Sequence, residues 1–423
     1  MSFFRVLLRQ EAGVPDRKTV PSEPVRRPRR ALVIGGAALA AALALAGAGA
    51  AGLLSGGGHS AAAHSDGLPH TAVDASAGSC GTGWSDPRPG TQVFDVHNTS
   101  TTPVEVYLKD AKSGAVYGEV EGLGPGTTRA LRATIAAGSY AFGCFPDDAA
   151  SVTGPTVRVP GTGSGGGPAA VPVSQHDLIP PTLSYQKWVT GRMGTLLGDT
   201  RELGTAIRSG DPARARKAWL TAHLDYERLG AAYGTFGDAD AAINGTTAGL
   251  SGGVHDRDFT GFHRIEYGLW HGESTPALRP FADRLVKDVG ELRTAWGQAR
   301  MDPLDLGLRA HEILENTVQF ELTGRTDYGS GSSLATARAN LDGTRVVLSR
   351  LRSVLTGRYP RLKELDGELD RTQAVLDGQE HDGHWTPPAR LGRARREQVN
   401  AALSGLVERL ADIAALCDVR RSS

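Results

Sequence analysis

The sequence predicts a multidomain β + α protein with an N-terminal apolar segment, a small β-sandwich and a C-terminal all-α bundle. Three observations predict this fold class. Residues 31–58 contain no charged side chain, and residues 80–160 contain short runs of β-favouring residues between turn signals. From about residue 180 onward, apolar residues recur at the three- and four-residue spacing of amphipathic helices. A chain of 423 residues is long enough for two or three domains.

Charge is balanced over the whole chain but is unevenly distributed along it. Lys+Arg and Asp+Glu both number 46. Residues 1–30 form a basic tail with eight basic and three acidic residues, so the remainder has 38 basic and 43 acidic residues, a net charge of −5. This mildly acidic body argues against nucleic acid as a partner.

The apolar segment 31–54 sets the predicted compartment. Its 24 residues are enough to cross a hydrocarbon core about 30 Å thick as a helix. Four arginines just before it favour a cytoplasmic tail and an exported remainder. Two interpretations stay open: a transmembrane anchor, or a cleaved signal sequence with Ala46-Gly47-Ala48 as the cleavage candidate. Under both, the functional part works at the extracytoplasmic face of the cell membrane, in the periplasm or its equivalent.

A flexible linker and a β-sandwich are predicted to follow the apolar segment. Residues 55–79 are rich in Gly, Ala, Ser and His and have little periodicity, which is typical of a linker. Residues 80–160 contain several strand-like runs, and strands at this spacing favour a small sandwich. A second, Gly-rich linker is predicted at 161–176. The predicted strands are 91–98, 104–110, 115–121, 127–135 and 138–145.

Residues 177–420 predict an all-α bundle. Asp211-Pro212 and Asp302-Pro303 are helix-start signals, because Asp caps free N–H groups and Pro suits the first turn. The predicted helices are roughly 182–208, 212–235, 260–271, 277–299, 303–323, 332–356, 360–378 and 389–417.

The most informative stretch is FTGFHRIEYGLW, residues 259–270. His263 and Glu266 are three residues apart, so a helix puts both on one face. Such a pair can supply one nitrogen and one oxygen ligand to a metal ion. By itself the His-x-x-Glu pattern is a weak signal, because a His beside a Glu is more often a pair on a helix surface.

A second candidate helix carries His223 and Glu227, which are four residues apart and again share a face. Aromatic and aliphatic neighbours suggest that Glu227 points inward, and a buried carboxylate needs a partner. A cation, or His263 from a facing helix, would provide one. The alternative is a surface carboxylate paired with His223 or with solvent.

The run His311-Glu312-Ile313-Leu314-Glu315 looks at first like a zinc-peptidase motif. It lacks the second histidine, which counts against an ordinary zinc peptidase. Glu315 is a candidate to project inward beside the His263 pair. A helix–helix ion pair explains the same residue equally well.

Cys80 and Cys144 lie near opposite ends of the predicted sandwich. In an extracytoplasmic chain a disulfide is the simplest interpretation. The alternative is thiolate ligation of a metal together with Glu105, Glu119 or Glu121. A blue-copper site is disfavoured, because the region has no Met and no His between Cys144 and residue 176.

Two long blocks resemble a known family. FTGFHRIEYGLWHGES (259–274) and AHEILENTVQFELTGRTDYGSGSSLATARANLDGTR (310–345) strongly resemble the imelysin-like domain of the EfeM/EfeO family, also classified as peptidase family M75. YERLGAAYGTFGDADAAING (226–245) fits the same family, as does the order of export segment, cysteine-containing domain and helical domain. The resemblance covers roughly residues 80–420. It implies a cupredoxin-like sandwich followed by an imelysin-like helical bundle.

The resemblance also implies a function and a ligand set. Such a protein is the extracytoplasmic iron-binding component of an Efe-type iron-uptake system, which passes iron to a membrane permease and has a Dyp-type haem peroxidase as a companion. The family's His-x-x-Glu falls on His263 and Glu266, and its upstream carboxylate falls on Glu227. Two acidic positions of relatives appear here as Gly230 and Asn244, which removes two oxygen ligands.

The same resemblance maps a second metal site in the cupredoxin-like domain to Cys80, Glu105 and Cys144. Iron, as Fe²⁺ or Fe³⁺, is the expected cargo, with copper and zinc left as alternatives. The alternative function is an M75-type metallopeptidase that uses the His-x-x-Glu site, with Glu266 as the proposed base beside a metal-bound water. We assign no catalytic residue from the sequence.

Overall fold

The computed structural model describes residues 66–162, 166–167 and 169–420. The tail 1–30, the apolar segment 31–54 and the first part of the predicted linker 55–79 lie outside these residues. Within the described ranges, no helix combines the length and the apolar character that crossing a bilayer requires.

The first part of the described chain is a β-sandwich of two sheets. The strands are β1 (His70–Ala75), β2 (Cys80–Thr82), β3 (Gly90–Asn98), β4 (Val104–Asp110), β5 (Val116–Leu123), β6 (Thr128–Ile135), β7 (Gly138–Pro146), β8 (Val152–Thr153) and β9 (Val157–Val159). One sheet has the strand order β2-β1-β3-β6, and the other has the order β5-β4-β7-β8, with β9 also paired to β7. Each of the five predicted strands is present.

Aromatic packing and a disulfide stabilise the core of the sandwich. Trp84, Phe94 and Phe142 pack edge to face with ring centroids 4.8–5.7 Å apart. Cys80 in β2 and Cys144 in β7 form a disulfide, which links the two sheets covalently. Of the two interpretations left open by the sequence, the structure therefore has the disulfide.

Strand β1 corrects the linker prediction. The composition of residues 55–79 predicts a flexible linker, and this prediction is wrong for residues 70–75. β1 pairs in parallel with β3, from His70 opposite Val93 to Ala75 opposite Asn98. The sequence has too little alternation to indicate this strand, because its stability comes from pairing with a distant partner and from burying Val73 and Ala75.

The second part is a helical bundle around one buried apolar core. The long helix α1 packs against α2, α6 and α8. A short β-hairpin, β10 (Glu380–His381) and β11 (His384–Trp385), lies between the last two helices. The helices are α1 (Gln175–Ser209), α2 (Pro212–Glu227), α3 (Tyr233–Phe236), α4 (Asp238–Asn244), α5 (Gly261–Trp270), α6 (Thr275–Trp296), α7 (Asp305–Asn316), α8 (Ser333–Leu355), α9 (Leu362–Asp377) and α10 (Arg393–Cys417).

Two predicted helices end earlier than their hydrophobic pattern suggests. The helix predicted at 212–235 begins as expected, with Asp211 accepting from the N–H groups of Ala213 and Arg214, but α2 ends at Glu227. The helix predicted at 303–323 is divided into α7 and a π-helical turn, Thr317–Glu321. Both departures lie at the candidate site.

The sandwich and the bundle are in direct contact. Val116 of β5 and Ala170 form an antiparallel bridge, with N···O distances of 2.8 and 3.1 Å. The guanidinium of Arg420, just after α10, binds Glu119 of β5 through two hydrogen bonds of 2.5 and 3.1 Å.

The start of α1 is fixed by a capping box. The Ser174 hydroxyl accepts from the Asp177 N–H, and the Asp177 carboxylate accepts from the Ser174 N–H at 2.9 Å. Hydrogen bonds from Ser174 hold the pKa of Asp177 below its ordinary value despite partial burial, and the Arg358 guanidinium lowers that pKa further.

We expect Asp177→Asn to destabilise the protein by about 1 kcal/mol at pH 7, the usual size of a lost cap. A carboxylate whose pKa is lowered by folding stabilises above its unfolded pKa and loses that contribution as the pH falls through the folded pKa. The difference in melting temperature between variant and parent should therefore be present at pH 7 and shrink near pH 3. Asp148→Asn, at an exposed turn, is the control. An equal difference at both pH values would contradict the prediction.

Candidate metal centre

The candidate centre lies where α2 and α5 face each other. Trp219 of α2 donates its indole N–H to the Phe262 carbonyl of α5 at 2.9 Å. Gly261, the first residue of α5, has φ of 74°, and a Cβ there would lie 2.1 Å from the Ile243 carbonyl oxygen. Only glycine lets the start of α5 approach the end of α4 this closely. The His-x-x-Glu pair is thereby placed inside the bundle.

His263 and Glu266 lie on one face of α5 and are almost fully buried, with 3% and 1% of their surfaces exposed. His263 Nδ1 is 3.1 Å from Glu266 Oε2. The other oxygen, Oε1, accepts from the Tyr328 N–H (3.0 Å), the Ser330 N–H (3.1 Å) and the Ser330 hydroxyl (2.6 Å). Burial acts to raise the pKa of Glu266, but the His263 imidazole and Ser330 outweigh it and hold that pKa below its ordinary value.

Glu227 is buried on α2, as its neighbours in the sequence suggest. Its Oε1 accepts from the Asn244 amide at 2.7 Å and lies 3.1 Å from His223 Nε2. With the Asn340 amide oriented to accept from the Thr317 hydroxyl, its nitrogen lies 3.1 Å from Glu227 Oε2. Burial acts to raise the pKa of Glu227, yet His223, then Asn244 and the His263 charge, keep that pKa below its ordinary value.

The two His–Glu pairs come together in one buried region. The His223 and His263 rings meet edge to face with centroids 5.3 Å apart, and His223 also stacks on Trp219. The Tyr328 ring also packs against His263, with ring centroids 5.2 Å apart. In the part of the chain that the structure describes, no three His, Cys, Asp or Glu side chains converge closely enough to hold a metal ion as they stand.

Several polar atoms of this region are buried without a hydrogen-bond partner among the described residues. They are both ring nitrogens of His223 and the amide oxygen of Asn244. His223 Nε2 is near Glu227, but the direction of approach leaves it without a satisfied hydrogen bond. An unsatisfied buried polar group costs about 1–3 kcal/mol, and a bound cation would satisfy lone pairs of this kind.

The structure adds Glu321, which the sequence analysis did not identify. It ends the π-helical turn after α7, and its Oε1 accepts from the Thr326 hydroxyl at 2.5 Å. Burial, followed by the negative charge of Glu227, raises the pKa of Glu321 to about 8, while His263 acts in the opposite direction. π-Helical turns are frequent at functional sites. Their extra residue per turn is not visible in a 3.6-residue pattern, so no signal in the sequence distinguished Glu321.

Glu315 does not project inward beside His263, so this prediction is wrong. Its side chain is 38% exposed, lies 3.7 Å from His311 Nδ1 and accepts from Gln319. The apolar face of α7 directs Leu306, Ala310 and Leu314 to the core and leaves Glu315 outside it. The pair His311/Glu315 thus has the spacing of His223/Glu227 but is partly exposed.

The predicted second metal site of Cys80, Cys144 and Glu105 also needs correction. The two sulfur atoms are bonded to each other, so neither is a thiolate that can bind a metal. Glu105 Oε2 accepts a hydrogen bond from the Tyr107 hydroxyl at 2.8 Å. These residues carry no metal ligand set in the oxidised protein.

Gly230 and Asn244, the positions at which the family resemblance implies acidic residues, have different surroundings. A Cβ on Gly230 would lie 2.9 Å from Ile313 Cγ1, so this position has no room for a carboxylate without repacking. Asn244, by contrast, already points at Glu227.

Comparisons with known proteins agree with these motifs. The imelysin family, peptidase M75, matches residues 182–416. Iron uptake system component EfeO of Yersinia pestis is 27% identical over 325 residues, which cover 77% of this chain and 85% of that protein. Iron uptake system component EfeM of Pseudomonas syringae is 28% identical over 205 residues, which cover 48% and 70%. A crystal structure of an iron-regulated protein A precursor from Parabacteroides distasonis aligns over 59% of this chain and 98% of its own, with 14% identity and a TM-score of 0.43.

We expect Asn244→Asp to destabilise the metal-free protein at pH 7 and to make its stability depend on added metal. The change removes the donor to Glu227 Oε1 and places a second carboxylate against it, and like charges at this distance repel strongly in a buried region. Thermal melts with and without Fe²⁺ under anaerobic conditions would measure both effects. Asn316→Asp, at an exposed position, is the control for the charge change. A metal-free variant as stable as the parent would contradict the prediction.

Proposed function

This chain belongs to the EfeM/EfeO family and carries its imelysin (peptidase M75) domain, and from that premise we propose that it is the iron-binding component of an iron-uptake system. It captures iron outside the cytoplasmic membrane and passes it to a membrane permease, with a Dyp-type haem peroxidase as a companion. The observation that carries the proposal is the pair of buried His–Glu dyads, with lone pairs on His223 and Asn244 left unsatisfied.

The chemistry of the donor set suits iron. Glu227, Glu266 and Glu321 supply carboxylate oxygens, and His263 and His223 supply imidazole nitrogens. Hard ferric ion prefers carboxylate oxygen, and imidazole suits iron as well as copper and zinc. Glu321 provides an acidic ligand in a chain that lacks the acids of relatives at Gly230 and Asn244. We propose these five side chains as the ligand set.

The present arrangement suits reversible capture. Each carboxylate is held by donors from the protein itself, so an arriving cation must displace contacts before it binds. That competition lowers the affinity below that of a preformed site. A protein that hands its cargo to a permease needs such release.

The disulfide supports the extracytoplasmic location, because bonds of this kind persist in oxidising compartments and are rare in the cytosol. We propose that segment 31–54 anchors or exports the chain.

The geometry of the site does not favour the peptidase alternative. Glu266 has a lowered pKa and one oxygen held by three donors, which makes it a weak base at neutral pH.

His263→Ala and Glu266→Ala should each weaken iron binding by at least on the order of 100-fold, since even supporting groups of a metal site contribute about 10–100-fold. The measurement is iron content of the purified full chain after anaerobic loading and desalting, with dissociation constants from competition against a chelator. His311→Ala is the control, because it removes another helical histidine that lies beside a glutamate, in a pair that is partly exposed and outside the proposed ligand set. Unchanged affinity in both site variants would refute the proposal. Cleavage of unfolded protein substrates that Glu266→Ala abolishes would instead favour the peptidase.

Glu321→Gln should weaken iron binding by about tenfold or more, because a neutral amide oxygen replaces a carboxylate ligand while the side-chain shape is kept. Glu315→Gln makes the same chemical change six residues earlier, on the outer face of α7, and should leave the affinity unchanged. The same competition assay compares the two. Equal affinities for both variants and the parent would remove Glu321 from the ligand set.

A further inference from the structure

An open groove lies on the outer side of the loop that holds Glu266. Its volume is about 710 Å³. One wall is formed by residues 322–331, and the other by residues 387–390 together with Arg396 of α10. We call this feature the loop groove. It is separate from the buried His–Glu pairs, and nothing in the proposed ligand set uses it.

Alternate residues of the loop 327–331 line the groove and contact Glu266. Asp327, Gly329 and Gly331 line the groove. The residues between them, Tyr328 and Ser330, direct their N–H groups to Glu266 Oε1 on the other side, at 3.0 and 3.1 Å. The same short stretch of backbone therefore lines the groove and contacts this carboxylate.

Two glycines allow this loop to pack closely against its neighbours. Gly331 has φ of 68°, and a Cβ there would lie 2.8 Å from Pro387 Cγ across the groove wall. Gly329 has φ of 124°, and its Cβ would lie 2.9 Å from Trp270 Cβ. The loop is closed by Asp327 Oδ1, which accepts from the N–H groups of Gly329 (2.8 Å) and Gly331 (3.1 Å).

Two cationic side chains line the groove. Arg390 and Arg396 are exposed, and neither forms an ion pair with a carboxylate of the described residues. Arg396 donates to the Leu391 carbonyl at 3.1 Å, which leaves further N–H groups for a ligand. Asp327 also lines the groove, and its Oδ1 accepts from the two glycine N–H groups. Guanidinium groups are well suited to carboxylate ligands, because they can donate two parallel hydrogen bonds.

We propose that the loop groove is the docking site for a small polycarboxylate complex of ferric ion, of the citrate type. The inference rests on the proposed iron-binding function. Such complexes are anionic, so Arg390 and Arg396 bind the free carboxylates of the chelate, which then lies against the loop that holds Glu266. The ferric ion then exchanges citrate oxygens for carboxylate and imidazole ligands of the protein. Its oxidation state does not change, and citrate leaves as the free anion.

The test compares the rate of iron loading from two sources. The full-length protein and the double variant Arg390→Gln/Arg396→Gln are mixed with ferric citrate, or anaerobically with ferrous sulfate. We expect the variant to load about tenfold more slowly from ferric citrate at low salt, with a smaller difference at high salt, because exposed charges act mainly on association and are screened. Loading from ferrous sulfate and the final iron content should not change.

Arg393→Gln/Arg395→Gln is the matched control. It removes the same charge from α10 at arginines that contact Glu397 and Gln398 and do not line the groove. Normal loading of the groove variant from ferric citrate, with iron bound from both sources, would overturn the docking site and leave the iron-binding function intact. Equal slowing from both sources would also overturn it. If the parent bound iron from neither source, the proposed function itself would fail.

Discussion

The burial of two carboxylates against two imidazoles is the constraint on which the rest of the bundle depends. Glu227 and Glu266 are 6% and 1% exposed. An uncompensated charge at such positions would cost about 3–5 kcal/mol. Their lowered pKa values indicate that the surrounding donors more than offset the desolvation. The protein keeps two anions inside an apolar core only because each oxygen has a specific partner.

Those partners come from distant parts of the chain, and this requirement explains several irregular features of the backbone. Glu266 is held by Tyr328 and Ser330, which lie more than sixty residues later in the sequence. Glu227 is held by Asn244, at the end of a short helix that the hydrophobic pattern did not predict. The shortened α2, the glycine start of α5 and the loop before α8 all place donors around the two acids. These departures from regular helices are the physical means by which the acids remain ionised.

Local patterns were sufficient to predict much of the fold. Alternating residues predicted five strands, Asp211-Pro212 predicted the start of α2, and the spacing of His263 and Glu266 predicted their common face. The sequence was insufficient wherever a contact between distant residues decides the structure. Strand β1 exists through its pairing with β3. Glu315 and Glu321 could not be told apart, because a π-helical turn between them changes the register in a way that a regular helical repeat does not show.

The same internal hydrogen bonds have a consequence for the proposed iron binding. A storage or catalytic centre gains from ligands that converge before the metal arrives, because no contact is then lost on binding. Here Glu266 Oε1 is occupied by a loop, and Glu227 by two amides. Binding a cation must exchange these contacts for coordination bonds, and release must restore them. The free energy of the closed, metal-free state is thus part of the affinity. If the proposed iron binding holds, changes in the loop or the amides will alter the affinity without altering a proposed ligand, because these groups keep the acids satisfied when no metal is bound.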